Sequence, residues 1–267
     1  MRFHLVDRIT AIDPGRGARG RLALPATGSS PSWIAEAVGQ LAAWVAMADS
    51  GFRRRPVAGM TRVARISGDA RAGATLDLEV ALDGCDDDAV CYSGSARQGG
   101  VAVLELADCV GPMLPLEEFD APAAVADRFQ RLCGDGLGPD ERATFVTLPF
   151  ERRDSFRGTV DAPTEPSFFV DHFPRKPVLP ATLLLDAGLR LAASAAAEEF
   201  ALAAEECHHP RVVEDLKLRS FVSPGERVDL WVEVSGTRAR PEVRLSASVA
   251  SRRVASARAE LVLVAGT

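Results

Sequence analysis

The stretch Phe168–Ala187, FFVDHFPRKPVLPATLLLDA, decides how the rest of the chain is read: it sets a single histidine in a proline-stiffened apolar loop that runs straight into a helix. Pro166, Pro174, Pro177 and Pro180 restrict the backbone around His172, which stands between Phe169 and the Phe173-Pro174 pair. From Thr182 to about Phe200 apolar residues recur with a 3.6-residue period, and the proline before them suits a helix start. A reactive side chain held so firmly is a candidate for chemistry.

Working outward, the same order of elements recurs about 150 residues upstream. A helix predicted over 32–48 (SWIAEAVGQLAAWVAMA) precedes RVARISGDARAGATLDLEVAL, just as the helix over 182–200 precedes DLKLRSFVSPGERVDLWVEV. Residues 75–82 and 227–234 alternate as strands after turn signals at Gly73 and Pro224-Gly225. Each copy closes with two more strands, 90–97 with 101–109 and 243–250 with 254–264, joined by connections of hairpin length. Between the copies, residues 111–139 have the prolines, glycines and mixed charge of a linker that partly packs, with a short helix near 123–132. Periodicity alone therefore specifies an α+β chain of two similar halves.

The 267 residues exceed the usual size of one domain and suffice for a large core. A hydrophobic content of 47% with 25% charged residues is that of a soluble globular protein, and a net charge of −6 argues against nucleic acid as the main partner. The run Arg53–Arg55 reads as solvated surface, or as a local basic patch for an acidic carrier protein. Five cysteines, odd in number and without CxxC spacing, read as reduced thiols of a cytoplasmic protein. The N-terminus MRFHLVDRI has no signal-peptide core, and no apolar run approaches the roughly 18 residues of a membrane span. His208-His209 beside Cys207 reads as a solvated loop without metal, since adjacent histidines point apart, and His4 as a half-buried strand residue. No phosphate loop, nucleotide fingerprint or GxSxG nucleophile occurs, which leaves acid-base chemistry without a cofactor.

The segment His172–Ala181, HFPRKPVLPA, resembles the HFPGxPxMPG motif of the FabA and FabZ family of β-hydroxyacyl-acyl-carrier-protein dehydratases. Leu5-Val6-Asp7-Arg8, the later Pro-Gly turn and Glu36-Ala37-x-x-Gln40 extend the resemblance over most of the chain. It implies a double hot-dog fold: an N-terminal module at 1–111 lacking the histidine, a linker at 112–142, and a C-terminal module at 143–267 carrying it. Two fused copies imitate a homodimer, with one continuous sheet wrapped around two helices.

The resemblance also implies dehydration of a 3-hydroxyacyl group held on the phosphopantetheine of acyl carrier protein or coenzyme A. In the family, the loop histidine of one module works with the helix carboxylate of the other. Carried over, His172 is the base and Glu36, from the first copy, the partnering acid or hydroxyl orienter. Gln40, four residues on, shares the helix face of Glu36 and positions it, and an apolar setting desolvates that carboxyl toward a proton donor. The N–H of Ala181 polarises the thioester carbonyl, while Phe173, Val178, Leu179 and Pro180 line an acyl tunnel. Arg175 and Ala181 stand where relatives carry glycine. The first copy offers only LPATGSSP at 24–31 opposite Asp186, so that second site is degenerate and Asp186, paired with Arg190, is a relic or local structural carboxylate. Two other readings share the fold: a thioesterase or isomerase, and a non-catalytic acyl-binding scaffold associated with another subunit of a fatty-acid-like or polyketide-like pathway.

Overall fold

The computed structural model describes residues 1–68 and 70–265. The first half contains β1 (Arg8–Asp13), β2 (Gly17–Ala23), α1 (Pro31–Asp49), β3 (Arg54–Pro56), β4 (Met60–Ile66), β5 (Thr75–Cys85), β6 (Ala89–Gln98) and β7 (Val101–Pro115). After α2 (Pro122–Cys133), the second half contains β8 (Glu151–Arg152), β9 (Arg157–Asp161), α3 (Ala181–Glu199), β10 (Glu206–Leu218), β11 (Arg227–Thr237), β12 (Arg240–Val249) and β13 (Arg252–Ala265).

The repeat is visible in three dimensions. The two long helices have nineteen residues each and begin at Pro31 and Ala181. The strands that follow bury equivalent side chains in the same alternation: Leu76, Leu78 and Val80 on β5, and Val228, Leu230 and Val232 on β11. One antiparallel sheet runs in the order β1-β2-β5-β6-β7-β4-β10-β13-β12-β11-β9-β8, with β3 paired to β7. The halves meet where β4 pairs β10, in a register that opposes Val63 to Glu214 and Met60 to Lys217. Backbone hydrogen bonds therefore run unbroken across the seam, and neither half presents an open edge there.

The sheet wraps α1 and α3, which pack against each other and bury eleven residues apiece. Their close seating needs small residues on the sheet: a side chain at Gly94 on β6 would come within 2.6 Å of Val38 Cγ1 and 2.8 Å of the Glu79 carbonyl. The linker packs through α2, whose Val125 and Leu132 are buried and whose Phe129 stacks near Trp44 and Phe52.

Several expectations need correction. The boundary at 111 cuts through β7, which continues to Pro115 because β3 pairs with Met113, Leu114 and Pro115. His4 lies outside any strand. Cys207, His208 and His209 are not in a solvated loop: they belong to β10, where pairing with β13 buries His208 and lets its Nε2 reach the Arg238 carbonyl at 2.8 Å. Among the described residues no cluster of three metal-ligating side chains occurs, and no helix is long and apolar enough to cross a membrane.

Candidate active site

The loop between β9 and α3 carries His172 to the interface of the halves. Phe173 stacks on its ring at 4.1 Å, Phe3 meets it edge-on at 4.7 Å, and the His172–Phe173 peptide bond is cis. Its Nδ1 lies 3.1 Å from the Val178 carbonyl. A carbonyl can only accept, so Nδ1 carries the proton and the Nε2 lone pair is left over. Burial pushes the imidazole down to about 3, against the raising effect of the Val178 hydrogen bond, so the ring is neutral near pH 7.

Glu36 reaches the same place from α1. Gln40 Nε2 donates to Glu36 Oε1 at 3.1 Å and to the Phe3 carbonyl at 2.9 Å, while Gln40 Oε1 accepts from the Leu5 N–H at 2.9 Å. The N-terminal segment thus clamps the amide that holds the carboxylate. The other carboxylate oxygen accepts the hydroxyl of Thr182 in the first turn of α3. The carboxylate is therefore held by donors from both halves and not left alone in an apolar wall.

These groups border one cavity of about 420 Å³. His172, Phe173, Val178, Leu179 and Ala181 line it from the second half, Glu36 and Gln40 from the first. Its walls continue through Ala43, Met47, Leu104 and Leu106, an apolar lining suited to a hydrocarbon chain. Pro180 is the exception among the expected residues: it does not line the cavity but precedes α3 as its N-cap. Helix α3 has no side-chain cap, and first-turn N–H groups have no partner within a helix. Arg175 fills the glycine position without positive φ, and its guanidinium donates to the Glu117 carbonyl at 3.0 Å.

At the pseudo-equivalent position the carboxylate is taken up by an ion pair. Asp186, aligned with Glu36, is buried and accepts from Arg190 Nε at 3.0 Å; Arg190 also meets the Leu148 carbonyl and stacks over Phe150. Asp186 does not border the cavity. The residue aligned with Ala181 is Pro31, which has no N–H to offer, so the first copy lacks both the histidine and the helix-start donor.

Four residues at the site escape the reading of the sequence. Thr182 carries no local signal beyond its place after Pro180. Asp171 and His4 face each other at 3.5 Å, and Asp171 also accepts the Phe3 N–H at 3.1 Å. Burial raises the Asp171 carboxyl, but the nearby His4 ring and the hydrogen bond from the Phe3 N–H prevail and hold it at about 2. Arg55 is not solvated surface: it borders the cavity with its guanidinium carbon 4.1 Å over the Phe173 ring, and burial pushes the group down to about 10. Its place follows from β3 lying along the end of β7, a pairing that a run of arginines does not announce.

The continuous sheet around two helices 150 residues apart, with one cavity lined from both halves, defines a double hot-dog protein. Residues 150–258 match the ApeI-like family model, described as ApeI dehydratase, so the C-terminal half carries an ApeI-like dehydratase domain. A stretch of 74 residues, 27% of this chain, is 36% identical to the FabZ 3-hydroxyacyl-[acyl-carrier-protein] dehydratase of Novosphingobium aromaticivorans and spans 47% of that protein, about half its length. Among solved structures, the chain is similar to a putative oleoyl thioesterase of Lactobacillus plantarum, with a TM-score of 0.59 and 11% identity over 91% of this chain and 95% of that one. The tesB protein of Mycobacterium avium subs paratuberculosis gives 0.58 and 11% identity over 96% of each chain. The dehydratase domain of the polyketide PpsC from Mycobacterium tuberculosis gives 0.53 and 12% over 99% of each. At such identities the structural likeness is one of fold.

Proposed function

We propose that this protein removes water from 3-hydroxyacyl thioesters carried on acyl carrier protein or coenzyme A, releasing the 2-enoyl thioester. One observation carries the reading: the free ring nitrogen of neutral His172 and the doubly hydrogen-bonded carboxylate of Glu36, from opposite halves, border a single apolar cavity. The ApeI-like domain at 150–258 supports the same reaction class.

In this reading the thioester carbonyl lies at the start of α3, where the N–H of Ala181 and the helix dipole acidify the C2 proton. His172 Nε2 takes that proton. The C2–H electron pair becomes the C2=C3 bond, and the C3–O bond breaks with its pair on oxygen. Glu36 already accepts from Gln40 and Thr182, so it serves as the acceptor that orients the 3-hydroxyl. The same burial that disfavours a protonated His172 drives its proton on to the departing oxygen, which leaves as water. Phe173, Val178 and Leu179 then serve as walls for the acyl chain. Residues 143–267 act as the catalytic half, completed by the carboxylate of 1–111. A cytoplasmic setting agrees with five cysteines free of disulfides.

The test follows enoyl formation from 3-hydroxyacyl pantetheine thioesters by wild type, His172→Gln and Glu36→Gln. Loss of a base or orienter is expected to reduce kcat about 10²–10⁴-fold. Dehydration surviving both substitutions would sink the site. Release of thiol without enoyl product would make the protein a thioesterase, and tight acyl binding without turnover a scaffold.

A further inference from the structure

Arg55 borders the cavity, and its side chain meets no hydrogen-bond acceptor among the described residues. Its Nε is fully buried and unpartnered, and its guanidinium rests on Phe173, the neighbour of His172 in sequence and its stacking partner. The other charges nearby are engaged. Asp120 lies 3.8 Å from Arg128 and caps the Ala121 N–H at 2.8 Å; Asp171 holds His4 and Phe3; Glu36 holds Gln40 and Thr182. No ion pair joins Arg55 to Asp120 or Glu36, although both carboxylates favour its charged form.

A buried guanidinium without an acceptor is costly, and a fold retains one where the acceptor arrives with a ligand. Resting on the proposed dehydration, the ligand brings two oxygens to this end of the cavity. The thioester carbonyl has its donor at Ala181. The remaining oxygen, on C3, needs an acceptor for its hydrogen and a donor for the charge it gains as the C3–O bond breaks. Glu36 supplies the first, and the unpartnered guanidinium of Arg55 can supply the second.

We propose that Arg55 is a catalytic residue that donates to the 3-hydroxyl oxygen between itself and Glu36 and stabilises that oxygen as it departs. The bookkeeping of the reaction is unchanged: the C2 proton still passes through His172 to the C3 oxygen, and Arg55 gains and loses no proton.

The test compares two pantetheine substrates of equal chain length, a 3-hydroxyacyl and a 3-chloroacyl thioester, in wild type, Arg55→Met and Arg55→Lys. Chloride leaves without a proton or a strong donor, so a group that acts on the leaving oxygen matters for one substrate and not the other. Arg55→Met is expected to lose about 10²–10³-fold in kcat on the hydroxyl substrate while eliminating chloride within a few-fold of wild type. Arg55→Lys, which keeps a point charge without the fork, is expected to fall between. Met in place of an unpartnered cation should leave the melting temperature unchanged or raised. Equal losses on both substrates, undiminished dehydration by Arg55→Met, or a large drop in its melting temperature would each overturn the role. Wild-type protein that eliminates chloride but never water would instead overturn the dehydratase reading beneath it.

Discussion

The hydroxyl of Thr182, in the first turn of α3, donates to the carboxylate of Glu36 in α1, so the two halves of the chain meet through a hydrogen bond inside the site itself. To this site α1 contributes the carboxylate, and α3 the hydroxyl and the N–H of its first residue.

Thr182→Val, which keeps the shape and removes the hydroxyl, leaves Glu36 Oε2 without its donor. The half-buried carboxylate loses a charge-assisted hydrogen bond, and stability is expected to fall by about 1–3 kcal/mol in urea unfolding. Turnover of 3-hydroxyacyl thioesters is expected to fall as well, because the lost donor no longer fixes the orientation of the carboxylate. Wild-type turnover would show that Thr182 does not position Glu36.

Ala181→Pro makes α3 begin as α1 does, at Pro31. Proline is favoured at the first helical position and Pro180 already has a compatible extended backbone, so the fold should persist with an unchanged circular dichroism spectrum. The lost N–H should lower kcat about 10²–10³-fold with little change in KM. Wild-type turnover would remove Ala181 from the carbonyl site.

Acid stability isolates His172. In the unfolded chain its imidazole takes a proton near pH 6.5, whereas the folded one resists down to about 3. Between these values the unfolded state binds more protons, so stability is lost as pH falls below 6.5 and no further below 3. By pH 5 this group alone costs about 2 kcal/mol. His172→Asn, unable to titrate, should flatten the fall between pH 7 and pH 5 by that amount; an identical fall in both proteins would refute the burial of the ring. His4, likewise lowered by burial, contributes to the part that remains.

The Asp186 position tests the asymmetry of the halves. Arg190→Met strands the buried Asp186 carboxylate and is expected to cost about 1–3 kcal/mol, most of it recovered in the double variant with Asp186→Asn. Asp186→Asn should dehydrate 3-hydroxyacyl thioesters within about two-fold of wild type. A loss of activity comparable to that of Glu36→Gln would reveal a working second site.

Much of the architecture is legible without coordinates because it is local. The helices over 31–49 and 181–199, the alternating strands after them, and the proline-bound loop at His172 all follow from periodicity, turn residues and restricted torsions. The resemblance to the dehydratase family then implies that Glu36 and Gln40 lie opposite that loop. Strands β4 and β10 carry weaker signals: the apolar residues around Arg62, Val63, Ala64 and Arg65 do not alternate cleanly. Yet they form the seam on which the double fold depends.

By itself, then, the sequence determined two α+β halves, one histidine loop, and a sister loop without a histidine. Only the tertiary structure decided that β4 and β10 pair, that Thr182 and the Phe3–Leu5 backbone hold the Glu36–Gln40 pair, and that Arg55 turns inward onto Phe173. The reason is physical: backbone pairing and hydrogen bonds between residues distant in the sequence leave no periodic trace, and an arginine is written the same way whether water or an active site surrounds it.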